Sequence, residues 1–576
     1  MVIGLPGVGA CINLGACGRA APRVLGSSRG GVVALKMNTA PALRLPPPRL
    51  WIWLFLTLAL LLVAVVRVRL IEIPLERDEG EYAYAGQLIL QGIVPYKLAY
   101  TMKLPGTCAA YALLMTAFGQ TITGIRVGLL LVNAATSLLV FLLARKLFDP
   151  VAGLAAAASY AVMSTSPSVL GLAAHATHFV VFFALAGTWL LLRATADSRT
   201  ITLLASGTCF GLAVLMKQHG IFYGIFGIVW LVGIERARGS GGWRRAAGRA
   251  AVFCAALLLP FAAVCLCLVW GRVFRQFVFW TFTCAREYAG SLSLADGWSV
   301  LKLALPDIAG CDLPLWILAL LGLVLVTVNP RGGEPRFFAA GFSLASALAV
   351  CPGFYFRPHY FILLLPALAL LVGGVICRTR QLLSRCGSIA AYLPLAIFAL
   401  VAAYVVFAHQ PGWFQMSPVE LCREMYGHEP FPESVAIAQY LRQHTSPNDP
   451  IAVLGSEPQI FFYAGRRSAT GYIYTFPLMD PSQQAALMQA DMIREIEATR
   501  PEYVVYVRNT LLWLRQNNSP TRIFEWADEY LAKYYSLDGV ADPVARDRTE
   551  YRWGTAAAEY KPESEFFTQV YKRIAP

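Results

Sequence analysis

The feature that most constrains the fold is a succession of apolar runs between residues 51 and 408. A membrane-spanning helix needs roughly 17 to 25 mostly apolar residues. Such runs lie near residues 51–68, 124–144, 150–169, 175–193, 200–216, 220–234, 249–270, 312–329, 337–354, 359–377 and 388–408. The chain is 57% hydrophobic and only 14% charged, far too apolar for a soluble protein of 576 residues. We therefore predict a polytopic α-helical membrane protein with roughly 11–13 transmembrane helices.

Basic residues lie in short clusters between the apolar runs and predict the orientation of the chain. Loops that face the cytoplasm are enriched in Lys and Arg, so a cytoplasmic N-terminus would place all the clusters on that side. The clusters are Arg145/Lys146, Arg193/Arg199, Arg236 to Arg249, Arg331/Arg336 and Arg378 to Arg385. This distribution explains the net charge of +14 without a nucleic-acid partner, and we expect none.

The predicted orientation also defines the domains. If the apolar segment 106–123 crossed the bilayer, the basic clusters after it would face outward. We therefore expect a partly inserted helix there. The predicted parts are an N-terminal tail (1–50), a membrane domain (51–408) with external loops 71–105 and 271–311, and an external soluble domain (409–576). Residues 1–36 are rich in Gly and Ala, which indicates an over-extended start or a disordered tail.

The region after residue 408 is predicted to be a small α/β domain. Helical patterns at 434–443 and 482–499 alternate with strand patterns at 451–454 and 503–507. The region lacks a glycine-rich nucleotide fingerprint, which argues against a nucleotide-sugar donor.

The loop after the first apolar run carries most of the candidate chemistry. Four carboxylates, Glu76, Asp78, Glu79 and Glu81, lie within six residues, and the pattern then becomes helical from Tyr82. We expect an amphipathic helix on the membrane surface, where apolar surroundings would raise a carboxylate pKa into the range of a general base. The alternative is an ordinary solvated charged face.

Other polar residues lie at the predicted outer ends of the apolar runs. Lys103, Lys217 and Arg357 are candidates for binding a phosphate, with membrane-anchoring snorkelling as the alternative for Lys217. His175 and His178 are three residues apart and could reach one ligand from one helix face. They could bind a divalent metal with Glu79 or Glu81, or simply donate hydrogen bonds, so the metal ligands stay unassigned.

Several of these motifs occur in an order that resembles a known family. Asp78-Glu79, the tyrosine-containing helix, Gly92-x-x-Pro95-Tyr96 and Lys103-x-Pro105 resemble the first external loop of the membrane glycosyltransferases of family 39. This family includes the protein O-mannosyltransferases and the aminoarabinose transferases. The similarity continues through Ile125-Arg126-Val127 and Arg357-Pro358-His359-Tyr360, and covers about 350 residues by hydropathy more than by identity.

The resemblance implies the multi-spanning GT-C fold in the cytoplasmic (inner) membrane of a bacterium, with an external active site. The family takes a sugar from a polyprenyl-phosphate carrier. It implies that Asp78 is the general base, that Glu79 is its partner and that Lys103 contacts the donor phosphate. Relatives often carry a carboxylate in the second external loop, where this chain has His175 and His178.

We therefore predict an inverting glycosyltransferase that transfers a sugar to a lipid, glycan or protein acceptor. No cofactor is clearly required, although a divalent metal is compatible with the histidines. The alternative is a transporter or flippase of a lipid-linked or anionic substrate, but the sequence shows no internal repeat. The remaining predicted substrate contacts are Glu81, Tyr82, His175, His178, His219, His359 and Tyr360.

Overall fold

The computed structural model describes residues 50–238, 242–328 and 333–574. The predicted tail at 1–36 lies outside the described residues. The described residues belong to one compact unit that begins at Pro48.

Sixteen α-helices, most of them long, form the described part of the predicted membrane domain. They are α1 (Leu50–Arg69), α2 (Arg77–Leu90), α3 (Gly106–Phe118), α4 (Ile122–Leu147), α5 (Pro150–Met163), α6 (Ala176–Asp197), α7 (Thr200–Met216), α8 (Ile221–Ala237), α9 (Gly242–Trp270), α10 (Phe274–Val278), α11 (Ala285–Ala289), α12 (Leu294–Ala309), α13 (Leu313–Thr327), α14 (Gly333–Val350), α15 (Leu365–Leu383) and α16 (Leu393–Gln410).

The helix lengths agree with a polytopic membrane protein. Within the described ranges, eight helical segments are long and apolar enough to cross a bilayer, and α3, α5 and α7 are shorter apolar helices. One of the eight, Leu294–Thr327, contains both α12 and α13. The predicted helical membrane fold is therefore confirmed.

Both predicted external loops contain helices, and those of the second loop were not predicted. Residues 271–311 form α10, a π-helical segment at Phe279–Cys284, α11 and α12. In α12 the side chains of Trp298 and Leu303 are exposed, as in a helix that lies at a membrane interface. Residues 71–105 contain α2 and then an irregular stretch that leads to α3.

Helix α2 differs from the predicted surface helix, because neighbours cover it on two sides. A capping box starts it, since the Glu76 side chain accepts from the Glu79 N–H and the Glu79 carboxylate accepts from the Glu76 N–H. A Cβ atom on Gly80 would lie 2.5 Å from the Gln459 nitrogen, and one on Gly86 would lie 2.7 Å from the Met115 Cε in α3. The prediction was wrong here because the last third of the chain folds back onto α2.

The last third of the chain forms the predicted α/β region. Its helices are α17 (Pro418–Tyr426), α18 (Phe431–His444), α19 (Gln459–Ala464), α20 (Gln483–Thr499), α21 (Arg522–Tyr534) and α22 (Thr555–Glu559). Its strands are β1 (Ile451–Leu454), β2 (Tyr503–Val507), β3 (Tyr535–Ala545), β4 (Arg548–Trp553) and β5 (Thr568–Arg573).

The strands form one mixed sheet in the order β1-β2-β5-β3-β4. β1 and β2 are parallel, and the other neighbouring pairs are antiparallel. The predicted strands 451–454 and 503–507 are confirmed as β1 and β2, and every residue of both is buried. β3, β4 and β5 were not predicted.

Candidate active site

A cavity of about 690 Å³ lies where the start of α2 meets the segment before α6, the segment between α7 and α8, the segment after α14 and the C-terminal region. Its wall combines residues from Glu76 to Leu514, so the fold gathers side chains from most of the chain. Predicted site residues on this wall are Asp78, Glu81, Lys103, His175, Lys217, His219, Arg357, His359 and Tyr360.

Asp78 projects from the first turn of α2 and has a different partner at each oxygen. Its Oδ1 accepts from the Lys103 Nζ at 2.6 Å and from the Tyr474 hydroxyl at 3.2 Å. Its Oδ2 lies 4.0 Å from the His359 Nε2. Burial opposes ionisation, but the Lys103 ammonium outweighs it and holds the pKa of Asp78 well below its usual range. The sequence predicted a raised carboxylate pKa in this loop. Burial does raise the pKa values of Glu76, Glu79 and Glu81, but that of Asp78 is lowered because Lys103 contacts its carboxylate.

Lys103 lies between two carboxylates. Its Nζ also donates to the Glu81 Oε2 at 2.5 Å, and the ammonium lies over the Tyr82 ring, 4.6 Å from the ring centroid. Burial raises the pKa of Glu81, and Lys103 partly opposes this shift. Tyr82 is buried and does not belong to the described cavity wall. Its contact with the site is therefore the cation–π contact with Lys103.

Glu79 lies away from the cavity, which changes the role predicted for it. Its carboxylate is fully buried, pairs with the Arg126 guanidinium through both oxygens and accepts from the Ala174 N–H at 2.5 Å. Burial raises the pKa of Glu79, whereas Arg126 and the Ala174 N–H oppose this. Glu79 therefore ties the start of α2 to the loop that precedes His175, and it does not belong to the described cavity wall.

Lys217 and Arg357 differ from Lys103 because they contact aromatic rings instead of carboxylates. The Lys217 Nζ lies 3.9 Å from the centroid of the Tyr360 ring, and the Arg357 guanidinium lies 5.5 Å from that of the Tyr355 ring. Among the described residues, neither cation forms an ion pair with a carboxylate. Burial lowers the pKa of Lys217 to about 7. A bound phosphate would be a negatively charged partner for both side chains.

Of the four histidines predicted for the site, three line the cavity and His178 lies in the core. The imidazoles of His175 and His359 stack with centroids 4.2 Å apart. The His219 Nδ1 lies 2.6 Å from the Ala349 carbonyl oxygen, and its ring contacts Tyr360. His178 is fully buried and is not among the described residues of the cavity wall. His175 lies on the cavity wall and His178 does not, so the geometry gives no support to the prediction that both reach one ligand.

Burial strongly disfavours the charged form of the two stacked imidazoles. It lowers the pKa of His175 to about 3 and the pKa of His359 well below its usual value. Both rings are therefore neutral at physiological pH, with a lone pair available on one nitrogen of each.

Several cavity residues were not predicted. Arg77 donates to the Glu429 Oε2 at 2.6 Å and to the Glu457 Oε1 at 3.0 Å, which links α2 to the C-terminal region. Tyr474 and Glu429 reach the cavity from the same region. Their only sequence signal was the nearby aromatic and charged residues, and these are typical of any domain surface.

Comparisons with known proteins agree with the fold and with the resemblance found in the sequence. Residues 104–270 match the model of the dolichyl-phosphate-mannose-protein mannosyltransferase family. No curated protein sequence matches the chain. ArnT from Cupriavidus metallidurans, solved with undecaprenyl phosphate, is 17% identical with a TM-score of 0.58, over 91% of this chain and 98% of that one.

An apo oligosaccharyltransferase from Archaeoglobus fulgidus is also similar. It is 14% identical with a TM-score of 0.51, over 88% of this chain and 75% of that one. The chain therefore shares the fold of these two structures over 91% and 88% of its length.

Proposed function

We propose that this protein transfers a sugar from a polyprenyl-phosphate carrier to a hydroxyl group of a lipid, glycan or protein acceptor. The observation that carries the proposal is a single cavity that holds an ionised carboxylate, Asp78, and two basic side chains, Lys217 and Arg357. Within the described part of the chain, neither basic side chain forms an ion pair with a carboxylate. A glycosyl transfer from a phosphate needs a proton acceptor and cations for the departing phosphate. The relative solved with undecaprenyl phosphate supports this class of donor.

In the proposed reaction, the acceptor hydroxyl binds at the Oδ2 of Asp78, because Lys103 and Tyr474 already bind Oδ1. The acceptor oxygen attacks C1 of the sugar, the C1–O bond to phosphate breaks, and the polyprenyl phosphate leaves with the bonding electrons. The acceptor proton moves to Asp78. A single displacement of this kind inverts the configuration at C1.

The ionisation of Asp78 decides when the proton moves. Because its pKa lies well below the usual range, the carboxylate is ionised at neutral pH but is a weak base. It therefore accepts the proton late, when the new bond has made the acceptor oxygen acidic.

The departing phosphate would contact Lys217 and Arg357, with Lys103 at the edge of the same site. Lys103 keeps Asp78 ionised and has a side chain 28% exposed, so it can also approach a bound phosphate. Glu81, His219 and Tyr360 line the same cavity and supply polar contacts for the sugar. The basic clusters between the helices support an active site on the external face of a bacterial inner membrane.

A transfer assay in reconstituted vesicles tests the proposal. A panel of radiolabelled polyprenyl-phosphate sugars is added with membrane lipid and peptide acceptors, and labelled product and free polyprenyl phosphate are measured. The wild type should release both in equal amounts. Asp78→Asn should lower the rate by about 10² to 10⁴, the usual contribution of a general base.

Asp307→Asn is the matched control, because Asp307 is exposed on α12. It should retain wild-type activity. Full activity of Asp78→Asn would show that the base is wrongly assigned. Movement of the intact donor across the bilayer without release of phosphate would instead support the alternative of a transporter or flippase.

A further inference from the structure

Three metal-ligating side chains converge on the cavity wall from separate parts of the chain. The donor atoms of Asp78, His175 and His359 all lie within 4.8 Å of one another. The two imidazoles are nearly parallel, with an interplanar angle of 13°, and the His359 Nε2 faces the Asp78 Oδ2. Two neutral imidazoles beside a carboxylate form a donor set that binds divalent transition metals.

His175 provides an independent indication of a ligand. Its side chain is 2% exposed, and neither ring nitrogen forms a hydrogen bond with any described residue. Buried polar side chains are usually hydrogen-bonded, so this ring lacks the partner that its burial demands.

A second carboxylate lies near the same ring. The His175 Nδ1 lies 3.5 Å from the Glu76 Oε1 without forming a hydrogen bond to it. Histidines that bind metals commonly donate from their other ring nitrogen to a carboxylate, and Glu76 is placed to accept such a hydrogen bond when the ring shifts slightly. The Nε2 of His175 is then the nitrogen that remains for a metal.

We propose that Asp78, His175 and His359 bind a divalent transition-metal ion, and that zinc fits them best. Donor atoms at 2.0–2.1 Å from a tetrahedral zinc are about 3.4 Å apart. The three donors, now within 4.8 Å, therefore need to approach by at most about 1.4 Å, which side-chain rotation can supply. Three protein ligands leave the fourth position open towards the cavity.

The surrounding charges set the expected strength of binding. The carboxyl groups of Glu76, Glu81 and Glu429 lie on the cavity wall beside the three ligands. The basic side chains on the same wall oppose a dication, and they are Arg77, Lys103, Lys217, Arg286 and Arg357. Lys103 already binds the Oδ1 of Asp78, so the metal would bind at Oδ2. These basic groups predict weaker zinc binding than at a site without neighbouring cations.

Metal at this position would inhibit the transfer reaction, and this consequence rests on the proposed function. The Oδ2 of Asp78 is the oxygen that accepts the acceptor proton in the proposed mechanism. A zinc ion bound to that oxygen removes its free lone pair, so the metal-bound form and the base-competent form of Asp78 exclude each other.

Zinc binding by the full-length protein tests the inference without any transfer assay. The purified chain, freed of its affinity tag and treated with EDTA, is titrated with zinc chloride in detergent by calorimetry. One zinc per chain should bind in the wild type. Asp78→Asn and His359→Ala should each weaken binding by at least about tenfold. His359→Cys should keep it, because a thiolate also binds zinc.

His444→Ala is the control, because His444 is exposed and stacks on Tyr440 in α18. Its zinc affinity should equal that of the wild type, and the melting temperature of each variant reports whether it folds. Cobalt titration adds a spectroscopic check, because tetrahedral cobalt with nitrogen ligands absorbs strongly in the visible. The inference fails if the wild type binds no zinc saturably, or if Asp78→Asn and His359→Ala bind it like the wild type.

Discussion

The buried pair of Glu79 and Arg126 leads to the most specific prediction about stability. Arg126 contacts both carboxylate oxygens of Glu79, and its Nη1 also donates to the Leu172 carbonyl at 2.8 Å. The side chains are 0% and 5% exposed. The substitution Arg126→Met keeps an unbranched apolar stem but removes the cation, which leaves the carboxyl group of Glu79 buried without its partner.

The expected cost follows from this burial. Removing one partner of a buried ion pair costs about 3–5 kcal/mol, because the other charge remains in a medium of low polarity. Burial already raises the pKa of Glu79, so without Arg126 it can take up a proton and avoid the full penalty. We therefore expect a loss of about 3 kcal/mol for Arg126→Met, and a similar loss for Glu79→Gln.

A double-mutant cycle measures the pair itself. The variants are unfolded in detergent micelles by a denaturing detergent and followed by tryptophan fluorescence. The double variant should be more stable than the sum of the single losses predicts, with a coupling energy of about 2–3 kcal/mol. Arg546→Met is the control, since Arg546 has a side chain 66% exposed beside Glu424 and should lose less than about 1 kcal/mol. Single losses below about 0.5 kcal/mol, or strictly additive losses, would refute the reasoning.

Three further predictions use other contacts of the same region. Gly80→Ala should lower the melting temperature by the equivalent of about 1–3 kcal/mol, because its Cβ would meet the backbone of α19, whereas Gly233→Ala, which faces open space, should not destabilise the protein. Lys103→Met should raise the pKa of Asp78, so the acid limb of the pH–rate profile should move to higher pH; an unmoved limb would show that Asp78 does not determine it. Burial raises the pKa of Glu457 to about 7, so the folded state binds more protons than the unfolded state and wild-type stability should fall as pH rises from about 4.5 to about 7. Glu457→Gln should make the fall in melting temperature across this range shallower, while Glu79 and Glu81, whose pKa values are also raised, keep part of it. An unchanged slope would contradict the assignment.

The chain's local patterns were sufficient for the membrane architecture. Apolar runs long enough to span a bilayer predicted both ends of α7, and the ends of α4 to within three residues, because a lipid environment allows few backbone solutions. β1 and β2 were predicted for a similar reason, since both are fully buried and therefore continuously apolar. β3 and β4 have mixed burial and carry charged residues, so their sequence lacks that signal.

The candidate site was predicted only as a set of residues. The sequence pointed to Asp78, Lys103, Arg357 and His359 by their place at the ends of apolar runs. Charged and imidazole side chains are energetically costly beside a membrane and often have a functional role there. The sequence could not show which of them touch. The partner of Lys103 is 25 residues away and that of Tyr474 is 396 residues away, so both contacts depend on how distant segments pack.

The sequence by itself determined that this chain is a multi-spanning membrane protein with acids, cations and histidines at one end of its helices. This follows from hydropathy and charge, which act locally along the chain. The tertiary structure alone decided that Glu79 is a buried anchor, that Lys103 keeps Asp78 ionised, and that His175 meets His359 instead of His178. Those outcomes depend on burial and on distances between remote segments, and both quantities exist only once the chain has folded.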